Sequence, residues 1–221
     1  TTVVGFSSEP SYRDGFGPFT PGFIIVPFGD VGAVRDAMTS NTCAVLAEPI
    51  QCEAGVLIPP DGFLRELSAL CSEQQVLLIA DEIQTGLGRT GKLFACDHEG
   101  VKPDMYVLGK SLSGGFYPVS AVVSRKDVLG VFTPGSHGST FGGNPLGCAV
   151  ARTALQVLQD EKLVERAAQL GEWFLGQLKS LAHPDIVAVR GRGLICAIEL
   201  RVRARPYCEA LKEREILWGI A

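Results

Sequence analysis

Short apolar runs that end on polar or glycine residues recur along the first two thirds of the chain. Residues 76–80 (VLLIA) end on Asp81-Glu82, and residues 105–108 (MYVL) end on Gly109-Lys110. Residues 42–50 (TCAVLAEPI) run into Glu48-Pro49. Such runs, bounded by turn signals, read as buried strands of a parallel sheet with helical crossovers between them. The same reading places further strands at 23–28 and 119–123. Asp30 is predicted to cap a helix to about Thr39, with Val31, Val34 and Met38 at helical spacing. Pro59-Pro60-Asp61 opens a helix over 62–75 that carries Phe63, Leu64, Leu67, Leu70 and Cys71 on one face. A short helix is predicted near 127–132 and a long one over 145–160. The next, over 162–182, carries Leu163, Ala167, Leu170, Phe174 and Leu178, and His183-Pro184 stops it. Residues 186–189 and 194–200 flank Arg190-Gly191-Arg192-Gly193 as a β-hairpin, and a last helix begins near Pro206. Residues 1–21, rich in Gly, Pro, Ser and aromatics, read as an ordered surface loop.

Alternation of strand and helix up to about residue 145 predicts an α/β fold, a mostly parallel sheet with helices on both faces. The expected organisation is a large domain over 1–145, connecting helices over 146–182, and the start of a smaller α+β domain over 183–221. The chain opens on Thr1-Thr2-Val3 without Met and closes on Leu217-Trp218-Gly219-Ile220-Ala221, so both ends read as cut. Of its 221 residues 46% are hydrophobic and 20% charged, a globular composition on the apolar side. The net charge of −4 argues against nucleic acid or an anionic membrane as partner, and no apolar run is long enough to span a bilayer. The seven cysteines form no CxxC pair and read as small buried residues of a reducing compartment, the cytoplasm or the mitochondrial matrix.

Candidate chemistry gathers at the strand ends. Ligands on such sheets sit beyond the carboxyl ends of the strands, so Asp81 and Lys110 are expected on one crevice, with Glu48 on the same rim. A buried carboxylate and a lysine suit Schiff-base chemistry. Alone, Asp81 reads as a helix-capping carboxylate, Lys110 as a solvated lysine, and Glu48 as the partner of an arginine. Gly86-Leu87-Gly88-Arg89-Thr90-Gly91-Lys92 fits both GxGxxG and GxxxxGK. A P-loop needs Ser or Thr next, where this chain has Leu93, and a dinucleotide site needs the glycines directly after a strand, whereas Glu82 to Thr85 intervene. A loop that turns the chain is the expected use, and a P-loop nucleotide-binding protein is the competing reading from another class. His98 and His183 read as surface or helix-end residues. His137 has no matching ligand cluster, so no metal site is expected.

Three stretches, AEPIQCEAGVLIPPDGFLRELSALCSEQQVLLIADEIQTGLGRTGKLFA, KPDMYVLGKSLSGGFYPVSAVV and GSHGSTFGGNPLGCAVA, resemble the class III, fold-type I aminotransferases, which depend on pyridoxal 5′-phosphate. Within that class, GGFYPVSAV and DGFGPFTPGF are more similar to the ornithine δ-aminotransferases than to acetylornithine, GABA or other ω-amino relatives. The resemblance implies a ping-pong reaction through a lysine aldimine. The δ-amino group of ornithine passes to 2-oxoglutarate, giving glutamate semialdehyde and glutamate. It implies that Lys110 binds the cofactor aldehyde and shuttles the proton, that Asp81 pairs with the pyridinium nitrogen and that Ile83 packs on the ring. Gln84 is implied to bond the phenolic oxygen. Ser139 and Thr140 match a loop that reaches the cofactor phosphate of a partner subunit, implying a homodimer. Glu48 matches a glutamate whose pairing with a distant arginine switches between the two substrates. Cys52 stands where the family usually has Gly, and the extra side chain is expected to crowd that turn or fill a gap. The phosphate loop, the stacking aromatic and the arginine partner of Glu48 are expected outside residues 1–221.

Overall fold

The computed structural model describes residues 2–220, and they divide into two compact units, the first up to residue 43 and the second from residue 44 onward. In the first unit α1 (Thr2–Gly5) and α2 (Pro10–Arg13) are single turns, followed by α3 (Val31–Ala37). The Asp30 carboxylate accepts from the Ala33 N–H at 2.8 Å, the expected cap, and Phe6 packs on Phe23 at 4.8 Å between ring centroids. The strand expected over 23–28 does not form: the segment is extended but joins no ladder, and Phe23, Ile24 and Ile25 are exposed. An apolar run becomes a strand only where a sheet edge receives its backbone groups.

The second unit holds a four-stranded sheet in the order β1 (Ala44–Ala47), β2 (Leu77–Asp81), β3 (Met105–Leu108), β4 (Ala121–Ser124). Ala44 pairs with Leu77 and Ile79 with Met105, both in parallel ladders. Between β1 and β2 lies α4 (Phe63–Glu73), which packs on β2 and buries Phe63, Leu64, Leu67, Leu70 and Cys71 as the spacing predicts. Each such side chain contributes about 1.5–3 kcal/mol by leaving water. The sheet is mostly parallel, as expected, and β4 is the exception: it runs antiparallel to β3 with Met105 opposite Ser124. A parallel return needs a crossover of about a dozen residues or more, usually helical. Residues 109–120 are only just that long and hold no α-helix, only one 3₁₀ turn at Lys110–Ser113 and the left-handed glycines 114 and 115, so the chain folds back antiparallel.

The single turn α5 (Lys126–Leu129) follows β4. Then Asn144 accepts from the Gly147 N–H and Pro145 occupies the first turn of α6 (Pro145–Asp160), which covers the predicted span. Lys162, left-handed at φ 50°, turns the chain into α7 (Leu163–Lys179). That helix stops at Lys179, before the expected His183-Pro184, and its buried positions are Ala167, Gly171 and Leu178, whereas Leu170 is exposed. The hairpin β5 (Ile186–Arg192) and β6 (Ile195–Leu200) forms as predicted, packs on α7, and is followed by α8 (Arg205–Lys212).

The glycine pattern at 86–91 finds its use in this packing. Gly91 has φ 84°, and a Cβ there would lie 2.8 Å from the Ala168 Cα of α7. A Cβ on Gly88 would lie 3.1 Å from Val164, and one on Gly193 at the hairpin tip would collide with the Thr90 backbone. The Leu194 N–H donates to the Arg89 carbonyl at 2.9 Å. Backbone meets backbone here because side chains are missing, and no helix starts at Lys92 to bind phosphate. The nucleotide-loop reading is therefore set aside.

Candidate active site

The site grows from the carboxyl ends of β2 and β3, which lie side by side with Asp81 opposite Val107. Asp81 closes a tight turn by accepting from the Ile83 N–H at 3.0 Å. The turn is anchored from below by Glu82, which is 1% exposed. Its carboxylate accepts from the Thr85 hydroxyl at 2.5 Å and from the Ala95 and Cys96 N–H groups at 3.0 and 2.9 Å. A buried carboxylate is tolerable only with its acceptor sites filled, and here three donors fill them. The Cys96 thiol faces the same group; burial first and that negative charge second hold it above its ordinary pKa.

Lys110 follows β3 at the start of the 3₁₀ turn, with its backbone in the left-handed region at φ 39°. The Ser113 hydroxyl donates to the Lys110 carbonyl at 3.0 Å and holds that turn. Its neighbour Gly109 lies under Ile83, whose Cγ2 would be 3.4 Å from any Cβ built there. Lys110 Nζ stands 3.9 Å from Glu53 Oε1, and the same oxygen accepts from Gln84 Nε2 at 2.7 Å. Glu53 therefore ties together the amide and the amine.

Glu48 sits on the same rim, half-buried just after β1. Burial first, and then the negative charge of Asp81, push its carboxyl above the usual range, while the Cys52 N–H and Lys110 pull the other way. Cys52 lies within that field; burial, then Glu48, push its thiol up to about 11. Its backbone φ is not left-handed, and its Sγ donates to the Ile50 carbonyl at 3.6 Å, so the side chain fills a gap and does not strain the turn.

The structure thus brings Asp81, Ile83, Gln84, Lys110 and Glu48 to one rim. Ser139 and Thr140 make none of these contacts and lie in an exposed loop where the Ser139 hydroxyl accepts from the Gly142 N–H at 2.9 Å. Sequence reasoning missed Glu53 and Glu82. Glu82 had a signal, an acidic residue closing an apolar run, but Glu53 lies in a turn without periodicity. An apolar groove of about 1160 Å³ between the 110–116 turn and helices α6 and α7 shares only Lys110 with this cluster, so it is not the crevice that the polar groups line. Among the described residues no cluster of His, Cys, Asp and Glu is arranged to hold a metal ion.

Comparison with known proteins agrees with this geometry. The chain is 59% identical to the ornithine aminotransferase of Bacillus subtilis (strain 168) over 215 residues, 97% of this chain and 54% of that protein. A crystal structure of the ornithine aminotransferase from Toxoplasma gondii, with partial occupancy of pyridoxal phosphate at its active site, superposes with a TM-score of 0.95. It is 49% identical and covers 99% of this chain and 53% of its own. The acetylornithine aminotransferase from Elizabethkingia anophelis superposes at 0.85 with 51% identity, covering 90% of this chain and 54% of its own. The chain spans about half the length of these relatives. Residues 1–219 match the family described as aminotransferase class III, a family of pyridoxal phosphate enzymes, and with the lysine and carboxylate set on adjacent strand ends the chain belongs to it.

Proposed function

We propose that the protein to which these residues belong transaminates ornithine at its δ-amino group, with 2-oxoglutarate as acceptor, using pyridoxal phosphate. The observation that carries the reading is the meeting of Lys110, Gln84 and Asp81 at the ends of two adjacent parallel strands. The donor set fits the cofactor: an amine for its aldehyde, a carboxylate for its ring nitrogen, and an amide with a second N–H for its phenolic oxygen. The bare Cα of Gly109 lets the Ile83 side chain pack against the end of β3, beside Lys110.

When bound, the cofactor supplies an aldehyde to take up the amino group and a protonated ring to withdraw electrons from the substrate carbon. Asp81, its Oδ1 engaged by the Ile83 N–H, is the carboxylate that holds the proton on the ring nitrogen. Lys110 Nζ would hold the cofactor at its aldehyde carbon, and its free amine would be the base that moves the proton at the amino-bearing substrate carbon. Ile83 would pack on the ring and Gln84 would bond its phenolic oxygen. Glu48 is the carboxylate assigned to the exchange of the two substrates, and its shared rim with Asp81 and Lys110 supports that place.

The exposed Ser139 and Thr140 are suited to reach the cofactor phosphate of a second copy, so the active form is proposed to be a homodimer. The cysteine usage supports a cytoplasmic or matrix setting. The likeness to an acetylornithine enzyme favours one alternative donor, Nα-acetylornithine. Borohydride reduction of the full-length holoenzyme, digestion and mass spectrometry test the assignment, with a single phosphopyridoxyl label expected on Lys110. A label elsewhere, or turnover surviving Lys110→Ala, overturns it. A kcat/KM for Nα-acetylornithine above that for ornithine overturns the choice of donor.

A further inference from the structure

Residues 51–57 form a small closed turn at the lip of the site. Gln51 and Leu57 pair in both directions, at 3.1 and 2.8 Å, and the Gly55 and Val56 N–H groups both donate to the Cys52 carbonyl. Val56 and Gly55 are left-handed, at φ 55° and 100°. The Gly55 carbonyl, at the outer end, accepts from the Nε and one terminal nitrogen of Arg190, at 3.2 and 3.0 Å. Arg190 belongs to β5 of the hairpin and also pairs with Glu199 of β6, which stands diagonally across the ladder, opposite Ala188. Glu53 rides on this turn and carries the contacts to Gln84 and Lys110.

We propose that Arg190 is a positioning residue for substrate selection: through the Gly55 carbonyl, the hairpin fixes where Glu53 presents its negative charge. A forked pair of N–H donors on one carbonyl constrains direction as well as distance, which a single donor does not. Glu199 orients the guanidinium, so the restraint passes from β6 to Arg190, to the turn, to Glu53 and into the site. The consequence for selectivity follows from charge and rests on the function proposed above. Ornithine presents a second ammonium group to the lip, which Glu53 attracts, whereas 2-oxoglutarate presents only carboxylates, which it repels.

The test uses the full-length holoenzyme and its Arg190→Met and Arg190→Lys variants. Amide hydrogen exchange over 52–57 is expected to quicken in Arg190→Met and to be partly restored in Arg190→Lys. In separate half-reactions, KM for ornithine is expected to rise about two- to five-fold, the scale of an exposed ion pair, while KM for 2-oxoglutarate stays level or falls. A general loss of structure lowers both kcat/KM values together and does not split the two KM values. Unchanged exchange over 52–57 overturns the anchor whatever the amino donor proves to be. Quickened exchange with no divergence of the two KM values overturns the role in selection. If the parent enzyme proves inactive towards ornithine, the function proposed above falls, and the exchange result alone decides the anchor.

Discussion

Removing the Glu82 carboxylate is the most direct probe of how the turn after β2 is held. Its oxygens take three donors between 2.5 and 3.0 Å in a place with 1% exposure, and water has no easy route to replace it. Each buried donor left without a partner costs about 1–3 kcal/mol. Glu82→Ala orphans the Ala95 and Cys96 N–H groups and the Thr85 hydroxyl together, and the neighbours relax, so a loss of about 3–5 kcal/mol is expected. Glu82→Gln is the graded control. With its carbonyl at the Oε2 position, the amide keeps the Thr85 and Ala95 bonds and turns its NH₂ towards the Cys96 N–H, a loss of about 1–3 kcal/mol. Urea unfolding of the full-length protein without cofactor, read as a midpoint at constant slope, measures both. An alanine variant within about 1 kcal/mol of the parent refutes the argument, as does a glutamine variant as unstable as the alanine one.

Three further outcomes follow from the geometry. Gly91→Ala combines a left-handed backbone with a Cβ 2.8 Å from the Ala168 Cα, so a loss of about 2–5 kcal/mol is expected in the same unfolding assay, whereas Gly100→Ala meets nothing nearby and loses only the backbone part. Asp81→Ala is expected to weaken cofactor binding, followed by fluorescence titration of the cofactor-free protein, because the ring nitrogen loses its counter-ion; unchanged affinity contradicts the assigned role. The raised carboxyl of Glu48 means that the folded state holds its proton more tightly than the unfolded state. Its contribution to stability is therefore complete below the unfolded value of 4.5 and is lost as pH rises through the folded value. Glu48→Gln removes that loss, so the variant should melt above the parent at about pH 7.5 and the gap should close towards about pH 4.

The strands that bear the chemistry were legible because each is a short apolar run ended by a charged residue, and 105–108 matches β3 residue for residue. Helix α4 was legible for a different reason, its 3.6-residue stripe, and all five expected core side chains are buried. The direction of β4 was hidden, since apolar alternation is the same in parallel and antiparallel strands and only the short link 109–120 carries the information. The strand expected at 23–28 shows the converse: its pattern is right, but a ladder needs a partner that pattern cannot supply. In the site, Asp81 and Lys110 stood out as polar ends of apolar runs. Glu53 and Arg190 did not, because their meeting depends on a contact between residues 135 positions apart in the chain.

The left-handed backbone at Lys110 bears on how this position can vary. Glycine or asparagine adopts that conformation more readily than lysine, so local folding energy selects against the residue that is present. A Lys110→Asn chain is accordingly expected to be more stable than its parent, by up to about 1 kcal/mol, and unable to turn over substrate. Folding and chemistry pull this codon in opposite directions. In a lineage where the activity ceased to matter, position 110 would be among the first places to drift, and the drift would leave a sturdier fold with no catalyst in it.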